Sequence, residues 1–115
     1  MSLHADLIAI RELVDTPEKW TQGAPARDAS GNGVPFYSTE ACSFCIIGAK
    51  SMAVWFDMAI GDKVLRSICA AAGVQKTAFD LAKWNDGLEG THSERHEQFL
   101  AALDKAIEQA RPVGL

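Results

Sequence analysis

Two pairs of residues in this 115-residue chain have the type and spacing to do cysteine or metal chemistry. Cys42-Ser43-Phe44-Cys45 is a C-x-x-C at the expected start of a helix. A helix N-terminus can hold a thiolate there, and the second thiol can exchange with the first. Redox motifs of this kind follow a strand in a βαβ setting, and nothing upstream reads as a parallel strand. The plainer reading is two small thiols on an apolar face. His92 and His96 are spaced i, i+4 on the last helix and share a face. Together with Cys42 and Cys45 they make a chemically complete tetrahedral zinc set. The gap between the pairs, however, is much longer than that of compact C-x2-C…H-x3-H fingers. No metal and no cofactor are therefore expected.

A third arrangement is nucleophilic. Cys45 attacks, His92 serves as base, and Asp86 or Asn85 orients the imidazole, since a thiol nucleophile needs a base and a group to fix its tautomer. Against this, His92 falls in the first turn of its helix, where the dipole disfavours imidazolium. The fourth arrangement lies on and around a Gly-rich loop: Trp20, Gln22, Arg27, Asp28 and Tyr37, with Trp84 and Asn85 nearby. Aromatic side chains beside polar groups on such a loop suit a small ligand or a partner protein. Equally, Arg27-Asp28 can simply pin the loop, while Trp20 and Trp84 roof the core.

The elements that must position these residues follow from periodicity. Leu3, Leu7, Ile10 and Val14 recur at helical spacing and mark a first amphipathic helix. Thr16-Pro17-Glu18 begins a single turn that presents Trp20. From Thr21 to Ser38 the helical period disappears, and glycine and proline break regular structure. Ala26-Arg27-Asp28 and Val34-Pro35-Phe36 can pair as a short hairpin, with Asp28 starting the turn and Gly31 or Gly33 supplying positive φ.

Thr39 to Ile60 reads as one central helix capped by Thr39. Its apolar face is Cys42, Cys45, Ile46, Ala49, Met52, Ala53 and Phe56, and Gly61-Asp62 breaks it. Gly48 inside a helix costs about 1 kcal/mol against alanine, so another helix or the Trp20 loop must press on it. A third helix carries Val64, Leu65, Ile68, Cys69 and Ala72 and ends at Gly73. Thr77 opens a short helix that Asn85-Asp86-Gly87 ends, and Thr91 with Glu94 forms a capping box for the last. The expected fold is mainly α: an orthogonal or antiparallel bundle of about five helices, with a Gly-rich loop or short β-hairpin between helices 1 and 2.

The totals narrow the function classes. A net charge of −4 with scattered basic residues gives no footprint for nucleic acid. Lys50 and Asp57 in the longest apolar stretch argue against a membrane span. MSLHADL lacks the basic and apolar regions of a secretory signal, and three cysteines make no disulfide framework, so a cytoplasmic, reduced setting fits. One domain over 1–115 is expected.

One ordered series of residues also looks familiar: Trp20-Thr21-Gln22-Gly23, Ala26-Arg27-Asp28, Gly31, Val34, Ala41, Cys45, Gly48-Ala49, Asn85-Asp86 and Thr91-His92. It resembles a family of small bacterial and phage proteins classed as a domain of unknown function. Members read W-T-Q-G-x-x-A-R-D-x-x-G, then C-x-x-G-A, then N-D, then T-x-x-E-V before a closing helix. Cys42, Arg95 and His96 depart from that pattern. The resemblance supports the fold and assigns no activity. The resulting expectation is a ligand- or partner-binding module using the 20–37 loop, its partner a small molecule or a protein, with a homodimer left open: Trp55 and Phe56 are either both buried within one chain or help form a dimer face. The alternative is a cysteine-dependent hydrolase- or transferase-like enzyme built on Cys45, His92 and Asp86 or Asn85.

Overall fold

A computed structural model describes residues 2–112. Met1 and residues 113–115, the ends of the span expected to form one domain, lie outside the described residues. The chain forms helix α1 (Leu3–Leu13), a 3-10 turn (Pro17–Lys19) and three two-residue strands, β1 (Ala26–Arg27), β2 (Gly33–Val34) and β3 (Ser43–Phe44). Helices α2 (Ile46–Val54), α3 (Met58–Ala72), α4 (Ala78–Gly87) and α5 (His92–Ala110) follow. This is the expected mainly α fold of five helices, with the expected hairpin between the first two.

The hairpin forms where its turn residues place it. Ala26 faces Val34 and Arg27 faces Gly33 in antiparallel register. Asp28 Oδ1 accepts from the amides of Ser30 and Asn32, and Gly31 takes φ +87°. An aspartate that binds its own backbone two residues on is a standard turn device, and glycine supplies the left-handed residue without a Cβ clash. The sheet has a third strand that periodicity alone concealed. Ser43 and Phe44 pair antiparallel with β1, giving the order β2-β1-β3.

That strand corrects the reading of residues 39–60 as one helix. Thr39 lies in a turn, Cys42 precedes β3, and Cys45 is the N-cap of α2 in extended conformation, its Sγ accepting from the Gly48 amide. The helix then stops at Val54, because Asp57 caps a new one: its Oδ1 accepts from Ala59 and Ile60. Capping supplies partners for amides that have none inside the helix. Gly61-Asp62 consequently ends nothing. Gly61 is buried inside α3, where an added Cβ would lie 3.7 Å from the Val54 carbonyl oxygen. With the helical phase interrupted twice, the expected apolar face dissolves: Ile46 and Ala49 are buried, while Cys42, Met52 and Phe56 are exposed.

The remaining termini follow their signals. Thr77 caps α4, and Thr91 and Glu94 make a reciprocal capping box on α5. Gly73 closes α3 with φ +75°. Among the described residues, one buried cluster draws Leu7 and Ile10 from α1, Trp20 from the turn, Ile46 from α2, Ile68 from α3 and Phe99 from α5. Among the described residues no helix is long and apolar enough to cross a membrane.

Candidate functional site

Asn85 ties the Gly-rich loop to the helices. It is fully buried near the end of α4. Its Oδ1 accepts from Trp20 Nε1 at 2.9 Å and from the Ile46 amide at 3.1 Å, and its Nδ2 donates to the Thr21 carbonyl and to Asp86 Oδ1. Both lone-pair directions and both amide hydrogens are therefore used, as a buried carboxamide requires.

Its neighbours extend the same network. Gln22 Nε2 donates to the Asn85 carbonyl at 2.8 Å, and Gln22 Oε1 receives Arg95 Nη1 at 2.6 Å. Asp86 Oδ1 also accepts from the Gly23 amide. Arg27 spreads its guanidinium over Thr21 Oγ1, the Gln22 carbonyl and the Gly31 carbonyl. The loop is pressed down so closely that a Cβ on Gly48 would lie 2.0 Å from the Pro25 carbonyl oxygen. Of the two expected neighbours of Gly48, another helix or the Trp20 loop, it is the loop that packs over it. The Cys45 amide completes the seam by donating to that same carbonyl.

Trp20 is almost wholly buried and stacks on Phe99 and His92, with ring centroids 5.0 and 5.4 Å apart. Trp84 is half-buried and stacks on the same Phe99, with ring centroids 6.0 Å apart. Beside it Val74, Asp80 and Lys83 line a shallow groove of about 230 Å³.

The residues of the nucleophilic arrangement fall differently. Cys45 is buried, and burial pushes its thiol pKa up; the Asp86 carboxylate adds to that push, while the amides of Gly48 and Ile47 oppose it. His92 Nε2 lies 2.7 Å from the Pro17 carbonyl, so that nitrogen carries the proton and donates. Among the described residues no hydrogen bond joins His92 to Cys45, Asn85 or Asp86. Asn85 and Asp86 are brought together, and Asp86 is close enough to bias the Cys45 thiol.

The four residues weighed for zinc do not converge, and no three metal-binding side chains cluster among the described residues. His96 is buried against the Val14 carbonyl at 2.7 Å. Cys42 and Cys45 are separated by extended backbone, which spans about 10 Å over three residues. That exceeds the roughly 7 Å limit for a disulfide, and all three cysteines are free. The C-x-x-C spacing joins two thiols along a strand, where it has no redox geometry.

Tyr37 stands apart from the network. It is highly exposed at the far end of the loop and meets Phe36 edge-on at 5.3 Å. Phe36, Tyr37, Met52 and Trp55 line a groove of about 270 Å³. A second groove of about 370 Å³ adjoins it through Phe36 and Trp55 and continues to Val54, Met58 and Leu65, with Lys50 and Asp57 beside them. The sequence places Met52 on the apolar face of the expected long helix and does not single out Met58, whereas both are exposed in the structure. The signal was Asp57, a capping residue that turns the chain and leaves the flanking large side chains outside.

Comparison with the curated proteins and with the solved structures gives no match. The model described as "Family of unknown function (DUF6197)" matches residues 1–109, and the chain belongs to that family.

Proposed function

We propose that this protein is a binding module whose partner docks on the aromatic face formed by Phe36, Tyr37, Met52 and Trp55, at the outer end of the 20–37 loop. One observation carries this reading: Tyr37, Met52, Trp55 and Met58 are 71, 45, 70 and 90% exposed around two adjoining grooves. Large apolar side chains clustered in water mark interaction surfaces, whereas single ones need no explanation. Aromatic residues and methionine are the types enriched at such surfaces.

In this reading Trp20, Gln22, Arg27, Asp28 and Asn85 hold the loop that presents Tyr37, and their own polar groups are occupied in doing so. Trp84 lines a separate, shallower groove. The alternative of a Cys45 enzyme has less support, since burial raises the thiol pKa and His92 donates elsewhere. A one-domain, cytoplasmic protein is part of the proposal, supported by the continuous buried cluster and by three cysteines that stay unpaired.

Photo-crosslinking tests the face. A benzophenone side chain at position 37 or 55 should trap a discrete adduct in the protein's own cell, and one at the exposed Lys105 on α5 should trap none. Equal labelling from all three positions, or adducts from position 105 alone, would remove the face from consideration.

A further inference from the structure

We infer that the partner on this face is a second copy of the chain, seated by a two-fold axis so that the two aromatic faces cover each other. The inference rests on the reading of the Phe36–Trp55 face as a binding surface, and three observations select the occupant.

The first is area. Aromatic side chains bring roughly 150–250 Å² each to a contact. At the exposures observed, Tyr37, Met52, Trp55 and Met58 present on the order of 500 Å² of largely apolar surface. A stable pairing buries about 800 Å² per partner, an apolar centre within a polar rim. The half-buried Phe36 and Leu65, with the polar groups around the second groove, supply the remainder.

The second is shape. A two-fold interface must be self-complementary, each feature meeting its counterpart on the other copy. This face carries both a projection and a receptacle. Met58 is 90% exposed at the start of α3. The groove between Phe36, Tyr37, Met52 and Trp55 is beside it, and Met58 is not part of its lining. A flexible thioether fills an irregular aromatic-lined gap well. The two-fold axis places each Met58 in the other copy's groove.

The third is charge. Lys50 borders the second groove together with Asp57 and Asp62. A face that carries both signs can pair Lys50 of one copy with an acidic neighbour on the other. A face of one sign would repel its own copy.

Sedimentation velocity on the purified full-length chain tests this. With rising concentration the 12.4 kDa species should give way to one of twice that mass. Replacing both Trp55 and Met58 by glutamate should weaken self-association by about 30-fold or more, the loss expected when central anchors are removed. Both side chains are exposed, so helical circular dichroism should not change. Phe79→Glu, exposed on α4 and outside the face, should leave self-association intact.

A single 12.4 kDa species into the high micromolar range overturns the inference. So does self-association that survives the double substitution in a folded protein. The crosslinking above separates the two levels: an adduct of twice the chain mass from positions 37 and 55 supports the dimer. An adduct with a different protein or with lipid overturns the dimer while leaving the face a binding surface. No adduct at all removes both.

Discussion

At the scale of single residues, the side chains that look most reactive in the sequence are mostly spent on the protein itself. Asn85 is the clearest case. Removing its carboxamide leaves Trp20 Nε1 and the Ile46 amide buried without acceptors. Each orphaned donor costs roughly 1–3 kcal/mol. Asn85→Ala should therefore lose about 3 kcal/mol in urea unfolding, and Trp20 emission should shift red as the loop loosens.

Cys45 gives the second prediction at this scale. Its thiol pKa is raised by burial, so the unfolded chain ionises first as pH rises. Stability from this group is complete below the unfolded thiol value of about 8.5 and declines above it. Native-state alkylation should label the exposed Cys42 readily and reach Cys45 only on unfolding. Fast Cys45 labelling near neutral pH would revive the enzyme reading.

Elements, rather than residues, explain the glycine in α2 and the acid dependence of α5. Gly48→Ala would gain about 1 kcal/mol if helix propensity decided the outcome. The Pro25 carbonyl instead sits where the new methyl must go, and backbone there is held by the Cys45 amide and the hairpin. Overpacking of this kind costs roughly 1–3 kcal/mol. The variant should melt below the parent, and a higher melting temperature would show the seam to be soft.

On α5, Glu94 is held below the usual carboxylate range, first by the Thr91 amide and then by its hydroxyl. A depressed folded pKa means stability present above the unfolded value of about 4.3 and lost as pH falls through the folded one. Glu94→Gln keeps the capping geometry without the charge. It should flatten part of the acid limb in a plot of Tm against pH, whereas Glu94→Ala should lower Tm at every pH.

Across the whole molecule, the loop between α1 and α2 divides into a half held against the helices and a half left in water. Its inner half is bolted to α2, α4 and α5 by Asn85 and Gln22 and braced from within by Arg27, and its outer half offers Tyr37 beside Trp55. The three tryptophans record that division, Trp20 buried, Trp84 half-buried and Trp55 in water. Acrylamide should quench chiefly Trp55 in dilute protein, and Trp55→Phe should remove the quenchable fraction. Quenching that weakens as the protein is concentrated would report cover over the aromatic face.

Much of the fold was legible in the sequence because it is written locally. Helical periodicity, the Thr77 and Thr91 caps, Gly73 and the Asp28 turn each depend on a few neighbouring residues, and the glycine at position 48 signalled a close approach whose partner, Pro25, lies far off in the chain. The ordered series from Trp20 to Asp86 includes residues that the structure joins in a network fastening loop to helix. What the sequence alone misread was Thr39 to Ile60, where two strand residues and an aspartate cap interrupt an apolar run. Periodicity cannot distinguish a strand followed by a helix from one longer helix when the partner strand is sixteen residues upstream. Only the tertiary structure decided which polar groups were already satisfied and which large side chains were left in water. Hydrogen-bond saturation of Asn85 and exposure of Trp55 depend on contacts between elements far apart in the chain, and no local pattern encodes them.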